Sequence, residues 1–302
     1  MPTPVAVGFP LGAPTLNGQQ LTVDQALNQP TRITRRIADL TLQRFIPTRI
    51  FAQGGTVTGG AVVYDQATLN ELYLDRDVEN RAPGQEYPVV TSSRQAPGVA
   101  KVEDWGGKFD ITDEARKRND VALFNNQVTQ LANTIVRKVN QRAIDTLEAT
   151  ISAFAGALTY TGTNWNTVVT AGTSATNNSA MPAADLAKAQ LLADTDELGV
   201  NYDLWIVNPA QRYQFNLVYG DKAPAVLAAN NIREMYASNR VAAGTAYVVA
   251  SNEVGEIRLE EGLQTETWRE QATRRNWVQS SIKPVMYVTN PYSVRKVVGL
   301  AG

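Results

Sequence analysis

Apolar residues recur with helical spacing along one stretch of this chain more clearly than anywhere else. Phe124, Val128, Leu131, Ile135 and Val139 are followed by Ile144, Leu147, Ile151 and Phe154, three or four residues apart for most of the run. Thr112 or Asp113 is suited to cap the start, and Asp113 and Glu114 suit the positive end of a helix. Neither Pro nor Gly interrupts before Gly156, so the pattern predicts one continuous helix over 112–154 with Phe124, Val128, Leu131 and Ile135 in the core. At 1.5 Å per residue such a helix spans roughly 65 Å. That exceeds the width of a compact small domain and implies a flat or elongated molecule packed along it. A strict heptad is absent, which disfavours a coiled coil.

The rest of the pattern is a mixture. Residues 1–30 carry Pro2, Pro4, Pro10 and Pro14 among scattered apolar positions and read as an extended arm. Pro30-Thr31 opens a short helix with Ile33, Ile37 and Leu40 on one stripe. Residues 51–110 lose helical periodicity. β-rich runs at Ala61–Tyr64 and Tyr87–Thr91, with turns at Pro83-Gly84 and Pro97-Gly98, predict a long two-stranded excursion. An isolated ribbon of that kind is marginal in water and needs a neighbouring chain to lie on. Residues 156–182 read as a loop or a weak hairpin around Trp165, and 183–198 as a helix stopped by Gly199. Tyr202–Val207 is a buried strand, and Asn208-Pro209 opens the next helix. Ala246–Val249 and Ile257–Leu259 are further strands. Trp268–Ile282 is a mixed segment, followed by strands at Val285–Val288 and Arg295–Val298. Helices and strands intersperse without a βαβ repeat, so the class is α+β.

Composition changes the picture mainly through its zeros. The 302 residues include no Cys and no His. Disulfide scaffolds, Cys/His zinc sites, thiolate nucleophiles and imidazole-based triads are excluded. Net charge is -1, so no global basic footprint for nucleic acid exists. The start shows no basic segment leading into an apolar core, and no apolar run reaches the ~20 residues of a membrane span, so a soluble chain made in the cytoplasm is expected and a membrane partner is not.

Candidate chemistry is thin. Gly54 to Ala61 has phosphate-loop glycine spacing but lacks the Lys-Ser/Thr that reaches phosphate and magnesium. Asp75, Asp77, Glu79 and Glu86 fit positions 1, 3, 5 and 12 of a calcium loop, yet Asn80 stands where the sharp turn needs Gly. A carboxylate pair for glycoside hydrolysis is always available among 29 acidic residues, which empties that signal. No catalytic, metal or cofactor site is therefore assigned. The local charge excess is basic: Arg32, Arg35, Arg36, Arg44 and Arg49 fall within 18 residues, opposed by Asp39 alone. From the residues alone these five read as a solvated helix face or as an arm that faces an anion or a partner, such as the interior of an assembly or a neighbouring subunit, and contact with DNA through them would be sequence-independent and salt-sensitive.

An arm, a β excursion and a very long helix cannot bury themselves alone, which argues for an obligate many-copy assembly. Three stretches carry a family likeness. Val99-Ala100-Lys101-Val102-Glu103-Asp104-Trp105-Gly106-Gly107-Lys108-Phe109-Asp110-Ile111-Thr112-Asp113-Glu114 runs a strand into the acidic start of the long helix. The second is that helix, 112–154. The third is the helix Ala183–Leu198 followed by Tyr202–Val207 and Asn208-Pro209. In this order of elements the chain resembles the major capsid proteins of tailed double-stranded DNA bacteriophages, the Hong Kong 97 fold.

That resemblance implies an N-terminal arm over 1–50 and an E-loop over 51–104. It implies a peripheral domain over 105–170 plus 265–302, and an axial domain over 171–264. It implies a structural, non-enzymatic subunit without cofactors. Such a subunit tiles hexamers and pentamers into an icosahedral virion shell around packaged DNA, with separate scaffolding, portal and cement proteins as possible partners. The same-fold alternative is an encapsulin-like storage shell, which the Pro-rich start disfavours. The alternative of another class is a carboxylate- or metal-dependent hydrolase.

Overall fold

The computed structural model describes residues 23–42, 45–68, 76, 78–91, 96–154 and 156–301. The chain enters through helices α1 (Val23–Asn28), α2 (Pro30–Leu42) and α3 (Pro47–Ile50), then strand β1 (Ala52–Thr56). Strands β2 (Ala61–Tyr64) and β3 (Gly98–Lys101) form an antiparallel ribbon, so the run at Ala61–Tyr64 is a strand as expected, but its partner is Gly98–Lys101 and not the Tyr87–Thr91 run. Gly59 and Gly60, at φ 93° and 76°, turn the chain into it. Strand β4 (Trp105–Thr112) then leads to a short helix α4 (Asp113–Lys117) and the long helix α5 (Val121–Ala153).

The continuous helix expected over 112–154 is thus two helices. Thr112 caps the first, accepting from the Ala115 N–H at 3.2 Å. The chain breaks at Asn119, whose φ of 51° lies in the left-handed region that Asn tolerates better than most residues. Asp120 caps the second, accepting from the Leu123 N–H at 3.0 Å. The Asn-Asp pair was the breaking signal, in the absence of any Pro or Gly. At 33 residues, α5 runs about 50 Å.

The remaining elements are β5 (Thr159–Thr161), α6 (Pro182–Thr195), β6 (Leu204–Val207), α7 (Pro209–Tyr219), α8 (Ala223–Ala229), β7 (Glu234–Ala237), β8 (Thr245–Val249), β9 (Gly255–Glu270), β10 (Arg275–Val288) and β11 (Val294–Val298). Asn208 caps α7 through the Ala210 N–H at 3.0 Å with Pro at the first turn, as its sequence predicts. The mixed segment expected over 268–282 is instead part of a long antiparallel hairpin, β9 with β10. Its alternation is disguised. Buried positions are taken by Thr265, Asn276 and Ser280, with Thr265 and Ser280 sharing a 2.8 Å hydrogen bond, while Trp268 stands on the outer face, 40% exposed.

Two sheets result. One has the order β1-β9-β10-β4, the other β5-β11-β8-β6-β7. In the second, the central pairs are antiparallel and both edge strands, β5 and β7, run parallel to their neighbours. Helix α5 serves both. Near its start, Phe124, Val128 and Ala132 pack with Ile33 and Ile37 of α2 and with Ile111 and Val278 of the first sheet. Along its second half, Val139, Ala143, Ile144, Leu147 and Ile151 pack with Leu204, Ile206, Tyr247, Val249 and Val294 of the second sheet. Ile257, Met286 and Val288 of the first sheet join that same core. The opposite face of the second sheet buries a separate core, in which Trp165 stacks on Trp205 at 6.0 Å, covered by α6 and α7.

Depth along α5 is uneven. Leu147 is fully buried, whereas Leu131 is only half-buried against Gly107 and the core edge. Leu147→Ala should therefore cost about 2–5 kcal/mol. Leu131→Ala should fall below that range, and Leu131→Pro should still cost about 3 kcal/mol or more through the lost backbone hydrogen bond. Denaturant unfolding of the three variants checks the order.

Candidate assembly surfaces

The predicted arginines do not form one cluster. Arg32, Arg35 and Arg36 share the outward side of α2, because positions i, i+3 and i+4 lie together while Ile33 and Ile37 turn inward. Arg32 and Arg35 are exposed and Arg36 is half-buried. Asp39 falls on the same side and leaves a net basic face. Arg49 lies elsewhere. It forms an ion pair with Glu234 of β7 and sits 4.6 Å from the Tyr236 ring centre, tying α3 to the second sheet. Arg44 lies outside the described residues.

The described part of the arm is bound to the body by polar contacts that sequence reasoning missed. Arg116 Nε donates to Asp24 Oδ1 at 2.8 Å, and the Val23 N–H donates to Asn119 Oδ1 at 3.1 Å. Thr267 Oγ1 donates to the Leu27 carbonyl at 3.0 Å. Midway along α5, buried Asn140 accepts from the Ile46 N–H at 2.9 Å and fixes the entry to α3. No periodicity marks such contacts, because each joins residues more than 90 positions apart.

The ribbon is anchored at its base. Tyr64 stacks on Tyr287 with ring centres 4.9 Å apart, and Val57, Val62, Ala100 and Val102 pack around Val285 and Tyr287. Pro284 sits at a register shift in β10, where a residue without an N–H costs no ladder bond, and its carbonyl accepts from the Glu103 N–H at 3.2 Å. Arg142 of α5 reaches Glu103 at 2.8 Å, and Trp105 Nε1 reaches it at 3.1 Å. Farther out, Val78, Tyr87 and Val89 are 77%, 69% and 84% exposed. The segment Tyr87–Thr91, read from its composition as β-rich, forms no ladder among the described residues.

The calcium-loop candidates do not converge there. Glu79 pairs with Arg76 at 2.7 Å, Glu86 is exposed, and Asp75 and Asp77 lie outside the described residues. Among the described residues no group of three or more metal-ligating side chains comes together. The Gly-rich run at 54–61 is partly strand β1. A side chain at Gly54 would strike Arg258 Cγ at 2.6 Å, so glycine there serves close packing.

Two carboxylates at the first sheet have lowered pKa values, Asp113 at the start of α4 and Glu256 on β9. Asp113 is held below the usual carboxylate range chiefly by its hydrogen bond from Arg269, with Asn276 adding a second at 3.1 Å. Glu256 is lowered first by the Tyr287 hydroxyl, which donates at 2.6 Å, and then by Arg258. Burial and that same carboxylate push Tyr287 up to about 12.

The sequence profile of the family described as Phage capsid protein matches residues 96–297, about two thirds of the chain. The chain belongs to the phage capsid protein family. It is a structural shell protein. No curated protein matches it in sequence. Its fold is similar to that of a virus-like particle from Pyrococcus furiosus, at 11% identity, 88% coverage of this chain, 98% of the other, and a TM-score of 0.58. It is also similar to a chain of Mycobacterium phage Bobi, at 13% identity, 86% and 89% coverage, and 0.55. A chain from the capsid of cyanophage P-SCSP1u gives 12% identity, 87% and 89% coverage, and 0.52. The capsid protein has the Hong Kong 97-type α+β fold, as its order of elements led us to expect.

The capsid protein should lose stability in acid. Both carboxylates have folded pKa values below their unfolded ones, so their contribution is complete above the unfolded value and disappears as pH falls through the folded one. The window opens below about pH 4. Asp113→Asn should flatten the acid limb of a melting-temperature profile while lowering the neutral plateau.

Proposed function

We propose that the capsid protein tiles as hexamers and pentamers into a closed icosahedral shell around packaged double-stranded DNA, made in the host cytoplasm and without catalytic activity. The observation that carries this is the ribbon. Its base is stacked, hydrogen-bonded and ion-paired to the body, while Val78, Tyr87 and Val89 beyond it are left in water. A single chain gains nothing from that exposure; a neighbouring copy that covers them does. On this reading 1–50 is the arm, 51–104 the E-loop, 105–170 plus 265–302 the peripheral domain and 171–264 the axial domain. The axial sheet draws in β5 and β11 at its border. Scaffolding, portal and cement functions fall to separate proteins. The family match favours a virion shell over an encapsulin-like storage shell.

The basic side of α2 is proposed to face packaged DNA or a neighbour. Replacing Arg32, Arg35 and Arg36 together by Gln should reduce the slope of log affinity for duplex DNA against log salt by about 0.9 for each arginine on a phosphate. An unchanged slope with normal assembly leaves the neighbour as their partner.

The shell is proposed to be non-covalent. Crosslinking through the E-loop would need a lysine amine, and no Lys occurs anywhere in 51–100. Arginine cannot substitute because its guanidinium stays protonated, and without Cys no disulfide can form. Particles boiled in detergent should run as one band near 32.9 kDa. A covalent ladder would overturn this, and monomers under every assembly condition in electron micrographs would overturn the shell itself.

A further inference from the structure

The first sheet is covered on one face only. On the side where α1, α2 and α5 pack, Thr265, Asn276, Val278 and Ser280 are buried. The residues that alternate with them form three rows across β9, β10 and β4 on the opposite face: Trp268-Trp277-Asp110, Glu266-Gln279-Lys108 and Gln264-Ser281-Gly106. None of these residues is buried. At ~3.4 Å per residue and ~4.8 Å between strands, the rows cover about 14 by 10 Å. Arg275 holds Asp110 at 3.1 Å. The side chains of Lys108, Gln279, Ser281, Gln264 and Glu266 make no hydrogen bond or ion pair among the described residues.

The aromatic row is ordered. The Trp268 and Trp277 ring centres lie 6.4 Å apart with their planes 22° apart. Trp277 Nε1 donates to Glu270 at 2.9 Å, which fixes its ring. Lys108 Nζ stands over both rings, 4.7 Å from the centre of Trp277 and 6.0 Å from that of Trp268. A cation lies over two rings at once only when they stand side by side and show it a common face. Lys108 belongs to the next row, so the two indoles form a wall turned toward the polar rows. Beside it is a shallow hollow of about 340 Å³, lined by Lys108, Gln279 and Ser281 with Asp104 and Gly106.

We propose that this face binds a neutral oligosaccharide. A pyranose ring carries C–H groups on its faces and hydroxyls around its rim. The C–H groups are attracted to the negative face of an indole. Each hydroxyl both donates and accepts, and here the donors of Lys108, Gln279 and Gln264 stand among the acceptors of Glu266, Asp104 and the same amides. One apolar wall with a few converging polar groups is the make-up of a small-ligand site. Glu266 and Asp104 outnumber Lys108, so the patch lacks the positive charge that a phosphate backbone or an anionic membrane would select. A second copy of this chain is less suited to it, because the unbonded polar groups would each need a partner in that copy. The proposal goes beyond the shell reading and does not depend on it.

The full chain, as capsomers and as particles, is titrated with cellohexaose, maltohexaose and chitohexaose by calorimetry and by tryptophan fluorescence. Trp165 and Trp205 are buried, so the surface pair dominates the fluorescence response. The expected result is saturable binding of at least one sugar in the millimolar range or tighter. Trp268→Ala should weaken it about tenfold. Gln264→Ala and Glu266→Ala, both at exposed positions, should each weaken it severalfold. Tyr213→Ala, an exposed aromatic on α7 outside the patch, should leave it unchanged. Circular dichroism checks the fold of every variant, and if Trp268→Ala misfolds, the Gln264 and Glu266 variants decide. No binding of any of the three sugars overturns the proposal, as does binding that all the patch variants leave unchanged. Capsomers that fall apart with Trp268→Ala, while neither capsomers nor particles of the unmodified chain bind sugar, assign the face to a neighbouring copy and overturn it too.

Discussion

Everything else in this molecule is arranged around the burial of one helix on both of its working lengths. Helix α5 offers apolar side chains over 33 residues, more than one sheet can cover. Its first part is covered by the β1-β9-β10-β4 sheet and α2, and its second part by the β5-β11-β8-β6-β7 sheet together with α3. Val139, Ala143 and Leu147 are fully buried, so neither sheet can be moved away without exposing them. The hydrophobic effect thereby holds two otherwise separate layers in one subunit. The buried hydrogen bond from Ile46 to Asn140 adds direction, because it sets where on the helix the arm must cross.

Polar contacts then fix what apolar burial leaves free to slide. Arg295, 4% exposed, donates to the Tyr202 hydroxyl at 3.0 Å and to the Ala157 and Leu192 carbonyls, and forms an ion pair with Asp196. Asp185, 2% exposed, accepts from the Thr163 hydroxyl at 2.8 Å and from Trp165 Nε1 at 2.7 Å, which pins the loop before α6. Both are buried charges with several partners, the condition under which a buried charge is tolerated. On the helix side, Lys296 and the Tyr247 hydroxyl converge on Glu148 of α5. These contacts tie the second sheet to α5 and α6.

The surface divides accordingly. Where the chain is tied to itself, at the ribbon base and the arm, contacts are stacked, paired and partly buried. Where it is left open, it presents exposed apolar side chains at Val78, Tyr87 and Val89 and an open cavity between α7, α8 and β7. A chain that stayed alone would leave that area in water. A chain that repeats around a closed surface covers it with its own copies.

The sequence by itself determined the local elements whose signals are local. The α5 stripe from Phe124 to Ile151, the Asn208-Pro209 helix start, strand β2 and the absence of His, of Cys and of any lysine in 51–100 were legible, since spacing, capping chemistry and composition need no partner. The order of those elements was enough to suggest the capsid fold. Tertiary structure decided the rest. The β9–β10 hairpin was hidden because its inward positions are Thr265, Asn276 and Ser280, polar residues that are buried only once β4 and α2 supply cover. The break at Asn119 gains its purpose from Val23, which lies 96 positions earlier. Arg49 stood with the other arginines in the sequence, yet folding carries it to Glu234 and Tyr236, because an ion pair depends on distance in space and the chain sets that distance only after it has packed.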